Sequence, residues 1–205
     1  MTIRIGIAPR TTQEIRQLAE QFLQEHRDRA QIPVQIEELV DNDLRIHVYP
    51  LPQMRFYCAT DAFISSDFTR IAVEENVYYH YENRLRFSLA HEVGHLVLHR
   101  EAFSGIVIEG VEQYRQFQNE LDPEEHGLME EQADLFAGLI LVPPSELTPR
   151  FQSEKSLAAR KGISLESCWD RAIEYVASAL ARDFKVSAQA MKVRLRQDQV
   201  IFQGR

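Results

Sequence analysis

Apolar positions recur along this chain with two different periods, and the changes of period mark its elements. Ile15, Leu18, Ala19, Phe22 and Leu23 follow one another at steps of three and one, a helical stripe. The spacing predicts a helix from Thr11 or Thr12 to about Arg29, with a threonine as N-cap. A short helix is expected over Val34 to Leu39, before Asp41-Asn42-Asp43 turns the chain. From Leu44 to Tyr49 the alternation becomes two-fold, which predicts a strand ended by Pro50 and Pro52. Met54 to Val73 reads as two or three strands of an antiparallel sheet. Phe56 and Cys58 mark one, Ala62 to Ile64 another and Thr69 to Val73 the last, with Ser65-Ser66-Asp67 as the final turn. Residues 83–100 then place Leu85, Phe87, Leu89, Ala90, Val93, Leu96, Val97 and Leu98 on every side, which is the pattern of a buried helix.

A loop-rich stretch from Glu101 to Glu125 follows, with short elements expected at Ile106–Ile108 and Val111–Phe117. A connection of that length invites a functional role, such as a lid. Gly127 to Leu141 is read as a helix stopped by Val142-Pro143-Pro144. Further helices are expected at Ser145–Phe151, Ser164–Phe184 and Ser187–Arg196, the last capped by Ser187. The fold class is therefore α+β, a small sheet packed on the buried helix. We read residues 1–149 as one domain and 150–205 as a helical C-terminal appendage packed on it.

Charge narrows the choice of partner. The net charge is −8, so the broad Lys/Arg footprint of a nucleic-acid binder is missing, and no direct nucleic-acid contact is expected. The N-terminal residues carry no apolar run, and Leu135 to Pro144 is about half of a bilayer span, so no membrane role is expected. Cys58 and Cys168 form no pattern, which fits a reducing cytoplasm.

The buried helix holds His91-Glu92-Val93-Gly94-His95. Two histidines four apart share a helix face, about 6 Å apart along the axis, and can bind one tetrahedral Zn²⁺. Glu92 lies about 100° round the helix, beside the metal rather than on it, where an acid/base is needed. A wholly apolar helix should not carry His-Glu-His unless something compensates their burial, and a metal does so. A catalytic zinc needs a third protein ligand, and Glu130 is assigned to it, with Glu131 as the fallback. Asp134, one turn on, is placed to accept the free N–H of a ligating imidazole. His99 is too far along the axis to share the ion with His91 and is read as structural or supporting. Tyr78, Tyr79, Tyr81 and Tyr114 are candidates for the donor to an oxyanion, and the sequence selects none of them. One ion per chain is expected; a His₂Glu set admits Zn²⁺, Mn²⁺ or Fe²⁺.

These residues carry a resemblance. The run Arg86-Phe87-Ser88-Leu89-Ala90-His91-Glu92-Val93-Gly94-His95-Leu96-Val97-Leu98-His99 resembles the HExxH segment of the ImmA/IrrE family of metallopeptidases. Glu130-Glu131-Gln132-Ala133-Asp134-Leu135-Phe136-Ala137, with Leu139-Ile140-Leu141-Val142-Pro143 after it, is similar to that family's third-ligand segment. Phe184 to Leu195 resembles a stretch found late in these proteins, though an amphipathic packing helix fits it equally well. Gln132 stands where the family usually has Glu, and the interval from His95 to Glu130 looks long. The resemblance implies a small zincin-like fold, zinc held by His91, His95 and Glu130, and Glu92 as the catalytic acid/base. It also implies an endopeptidase whose substrate is a helix-turn-helix repressor, in a stress or mobile-element response. The alternative is a non-catalytic zinc-containing regulator that binds and sequesters a transcription factor. A third reading is an effector whose activity another factor unleashes.

Overall fold

The structure, a computed structural model, describes residues 2–162 and 169–198. The first helix, α1 (Thr12–Glu25), opens on a capping box. Thr11 Oγ1 accepts from the Glu14 N–H at 3.2 Å, and the Glu14 carboxylate takes the Thr11 N–H at 2.7 Å. It stops four residues before the expected end, because His26-Arg27-Asp28-Arg29 offers no further apolar residue to bury and forms turns instead. A short α2 (Ile36–Glu38) runs into a π-helical turn over Leu39–Asp43.

The sheet is small and mixed. Strand β1 (His47–Leu51) pairs parallel with β3 (Arg70–Glu74), and β2 (Ala62–Ile64) pairs antiparallel with the other side of β3. Pro50 does not end β1, as the sequence suggested, but sits within it opposite Val73. The order β1-β3-β2 makes β1 an edge, where proline's missing N–H breaks no ladder. A second expectation is corrected at Phe56 and Cys58. They lie in a helix, α3 (Met54–Cys58), flanked by Gln53 and Ala59 in left-handed conformation. The residues that bury are Met54 and Cys58, four apart, while Phe56 is 84% exposed. The two-residue step was read as a strand, and the four-residue step decided the fold.

After α4 (Glu75–His80) comes α5 (Glu82–His99), the central helix. The stretch read as loop-rich is mostly packed structure, and the element expected at Val111–Phe117 is a longer helix. The stretch holds α6 (Val111–Glu120), and Phe103, Ile108, Phe117 and Leu121 are buried. Ile3 pairs with the end of this stretch, donating its N–H to Glu120 O at 2.7 Å and accepting from Asp122 N at 2.8 Å. Helix α7 (Pro123–Leu141) begins four residues before the expected start. Asp122 caps it and Pro123 fills the first turn, so Gly127 lies inside the helix rather than at its boundary.

The C-terminal part is helical, α8 (Pro144–Arg160), α9 (Trp169–Phe184) and α10 (Ala188–Gln197). Helix α8 runs nine residues past its expected end at Phe151. The expected start of α9 at Ser164, and Cys168, lie outside the described residues. Ser187 caps α10 as expected, its Oγ accepting from Ala190 N at 3.0 Å. Arg194 of α10 is buried against α7, where Gly138 makes room: a Cβ there would stand 2.8 Å from Arg194 Cδ. Its guanidinium donates to Asp198 Oδ2 at 2.6 Å and Val142 O at 3.3 Å, and Arg16 of α1 holds the other Asp198 oxygen at 2.6 Å.

Candidate metal centre

Helix α5 is fixed by a buried arginine near its start. Arg86 donates to Val34 O at 2.6 Å, to Lys185 O at 3.1 Å and to Glu37 Oε2 at 2.8 Å. One turn beyond His91, Gly94 lets α5 lie against α7. A Cβ at Gly94 would stand 3.1 Å from both the Cα and the carbonyl oxygen of Ala133. That close approach brings the acidic face of α7 over the two histidines.

His91 Nε2, His95 Nε2 and a Glu130 oxygen converge. The two imidazole nitrogens are 3.0 Å apart, with Glu130 3.2 Å from His91 and 3.6 Å from His95. Each of the three offers one atom within 4.8 Å of the others. Glu131, the fallback, does not join them; it lines the neighbouring groove. His91 Nδ1 lies 2.8 Å from Asp134 Oδ1.

The other imidazole is oriented by a chain of hydrogen bonds that has only one direction. The Ala8 carbonyl can only accept, so the Gln132 amide donates to it at 3.1 Å. The Gln132 oxygen then accepts from His99 Nε2 at 3.2 Å. A neutral His99 has only a lone pair left on Nδ1, 3.1 Å from His95 Nδ1. His95 must therefore carry its proton on Nδ1, and its Nε2 faces Glu130 as a bare lone pair. Burial holds His95 well below its usual range and pushes His99 down to about 4, so both stay neutral at pH 7.

This donor set fits a divalent cation. A lone pair of His95, a carboxylate and His91 all point at one spot, and only a positive charge satisfies them together. A proton fills that need on His91. Burial opposes its charge, but hydrogen bonds to Asp134 and Glu130 and the nearby carboxylates outweigh it and push it up to about 10. A metal ion would displace that proton.

Glu92 is buried beside the cluster. Burial pushes its carboxyl up to about 7, with the charge of Glu130 adding and His91 and the Ile64 N–H opposing. It shares with His91 and Glu130 the wall of an open pocket of about 220 Å³. Of the four tyrosines, the structure brings Tyr114 to these carboxylates. Its ring stacks on Phe63 of β2 with centroids 4.5 Å apart. Burial and the fields of Glu92 and Glu130 raise its pKa and keep it protonated, with Thr60 opposing. His126, which the sequence left unassigned, stands 3.8 Å from Glu130 at an i, i+4 spacing that could have found it.

Three comparisons bear on this arrangement. The family model for the IrrE N-terminal-like domain, a peptidase family, matches residues 27–196. Among solved structures, a Mycobacterium tuberculosis transcriptional regulator is similar at 18% identity and a TM-score of 0.53, which shows the fold. The alignment covers 89% of this chain and 46% of that one, so this chain spans under half of the regulator's length. No curated protein matches the chain. Among the described residues, no helix is long and apolar enough to cross a membrane.

Proposed function

Because the chain belongs to the IrrE N-terminal-like domain family of peptidases, we propose that it is a zinc-dependent endopeptidase acting on a helix-turn-helix transcriptional repressor. The observation that carries this reading is the convergence of His91, His95 and Glu130 with Glu92 on the same pocket wall. The repressor as substrate rests on the resemblance of residues 84–99 and 130–143 to the ImmA/IrrE family. In this reading residues 1–149 form the catalytic part and 150–205 the appendage.

His91, His95 and Glu130 would hold the ion, and Asp134 and His99 would orient the two imidazoles. When bound, zinc supplies Lewis acidity toward a peptide carbonyl and toward water. Glu92 moves the proton. A carboxyl near pKa 7 takes a proton and returns it with little penalty either way, so it can accept one from water and deliver it to the leaving amine. Tyr114 stays protonated and would donate to the oxygen that gains charge. Its stacking on Phe63 places it without a long flexible arm.

Elemental mass spectrometry of the purified chain and of Glu130→Ala tests the metal. About one zinc per chain, lost or greatly weakened in the variant, is expected. Glu92→Gln should keep the zinc and lose cleavage of a co-expressed repressor by roughly 10²–10⁴-fold. Unchanged cleavage sinks the role of Glu92. A repressor held intact by both wild type and variant favours the sequestering regulator instead.

A further inference from the structure

At the mouth of the 220 Å³ pocket, one carboxylate holds two arginines. Asp61 Oδ1 takes Arg55 Nε at 2.5 Å, and its Oδ2 takes Arg84 Nε. The main chain of each arginine is fixed as well. Arg55 N donates to Glu74 Oε2 at 2.9 Å, and Arg84 N donates to Tyr81 O at 2.9 Å. Both guanidinium groups are thus set in place by their Nε edges. Their Nη atoms take no hydrogen-bond partner among the described residues.

We propose that Arg55 and Arg84 form a subsite that binds a carboxylate of the peptide substrate next to the bond that is cut. Two fixed forks with free Nη donors match the planar, bidentate geometry of a carboxylate. Two guanidinium groups share the one Asp61 carboxylate through their Nε edges, so neither has a carboxylate on its Nη side. Stability does not explain the arrangement. Both arginine side chains are about half exposed, at 50% and 48%, and ion pairs of that exposure contribute little. Arg55, Arg84 and Asp61 line the same pocket as His91, Glu92 and Glu130, so a ligand on the forks lies within reach of the proposed metal. The bound carboxylate is that of an Asp or Glu side chain or that of a chain end. This inference rests on the peptidase reading and names the class of substrate it takes.

The test is a set of fluorescence-quenched peptides with Asp, Asn or Lys swept through each position, every peptide made with a free acid and an amide C-terminus. Cleavage is measured on the full chain loaded with one equivalent of zinc, and binding by anisotropy on the zinc-loaded Glu92→Gln protein. At one position the Asp peptide should exceed the Asn peptide by about ten- to a hundredfold in kcat/KM and in affinity. The ratio should fall toward one in the Arg55→Gln/Arg84→Gln double variant, and Arg84→Glu should move the preference toward Lys. If the preference follows the free C-terminus instead, the subsite holds and reads a chain end. Equal values for Asp and Asn with both C-termini, or a preference that survives the double variant, overturn it. Acid preference in binding without cleavage by wild type removes the peptidase reading and keeps the subsite. Cleavage without acid preference does the reverse.

Discussion

Two polar clusters lie along α7, one at its middle and one at its C-terminal end, and they are built on opposite plans. At its C-terminal end, Arg194 and Asp198 are about 1% exposed, and Arg16 completes the set. The opposite charges meet one another directly, and the Val142 carbonyl takes a further N–H. At its middle, His91, His95, Glu92 and Glu130 bring imidazoles and carboxylates together, and the only cation among these four is a proton on His91. The first cluster pairs fixed charges and holds α1, α7 and α10 in place, with Arg194 Nε as its one buried nitrogen lacking a partner among the described residues. The second takes its positive charge from a proton on His91, which a metal ion would displace. Buried polar groups that satisfy each other fasten a fold, and those that need a visitor mark where chemistry happens.

Breaking the first cluster should have the largest effect on stability. Asp198→Ala leaves Arg194 buried without its partner and should cost about 3–5 kcal/mol, read from urea unfolding. Zinc content of the folded variant should stay at the wild-type value. Zinc lost in step with stability would mean that the two clusters are not independent.

The second cluster responds to pH instead. Burial pushes the Glu92 carboxyl from 4.5 up to about 7, so the native state holds that proton more tightly than the unfolded chain. Its contribution therefore weakens as pH rises from about 4.5 and is fully lost above about 7, a change of about 3 kcal/mol. Glu92→Gln lacks this loss. In metal-free protein the variant should match wild type near pH 4 and be more stable by about that amount at pH 8. A gap that does not widen over this range contradicts the raised carboxyl.

The smallest effect sharpens the comparison most. His99→Leu removes the acceptor that sets the proton of His95, and zinc affinity should fall by about 10–100-fold. Competition with a chromophoric chelator measures it, and nitrogen NMR of His95 should show mixed protonation in place of one tautomer. Wild-type affinity in the variant would mean that the chain through Gln132 positions nothing.

The candidate site was more legible than the sheet around it. His91, Glu92, His95, Glu130 and Asp134 are tied to fixed helical spacing, and helices keep such distances whatever packs outside them. The structure brings His91, His95 and Glu130 to one point, with Glu92 on the wall of the adjoining pocket and Asp134 behind His91. The elements before them were harder. Phe56 and Cys58 fit both periods over five residues, and only burial of Met54 separates helix from strand. Pro50 reads as a stop until the topology puts β1 at an edge. The run to Glu125 read as loop because α6 buries only Phe117 among its ten residues. The partners of Arg55 and Arg84 come from a tertiary meeting at Asp61, which no local spacing records.

The N-terminal segment lies along α6 and α7 by its backbone, from Ile3 at Glu120 and Asp122, through Ile5 N on Glu125 at 2.7 Å, to Ala8 O on Gln132. That last carbonyl is the fixed end of the chain that decides which nitrogen of His95 is bare. In the proposed metal site, docking of this segment and binding of the ion would be thermodynamically linked, and the linkage would be reciprocal. Pulling the segment away would loosen a bound ion, and loading the ion would tighten the segment by the same factor.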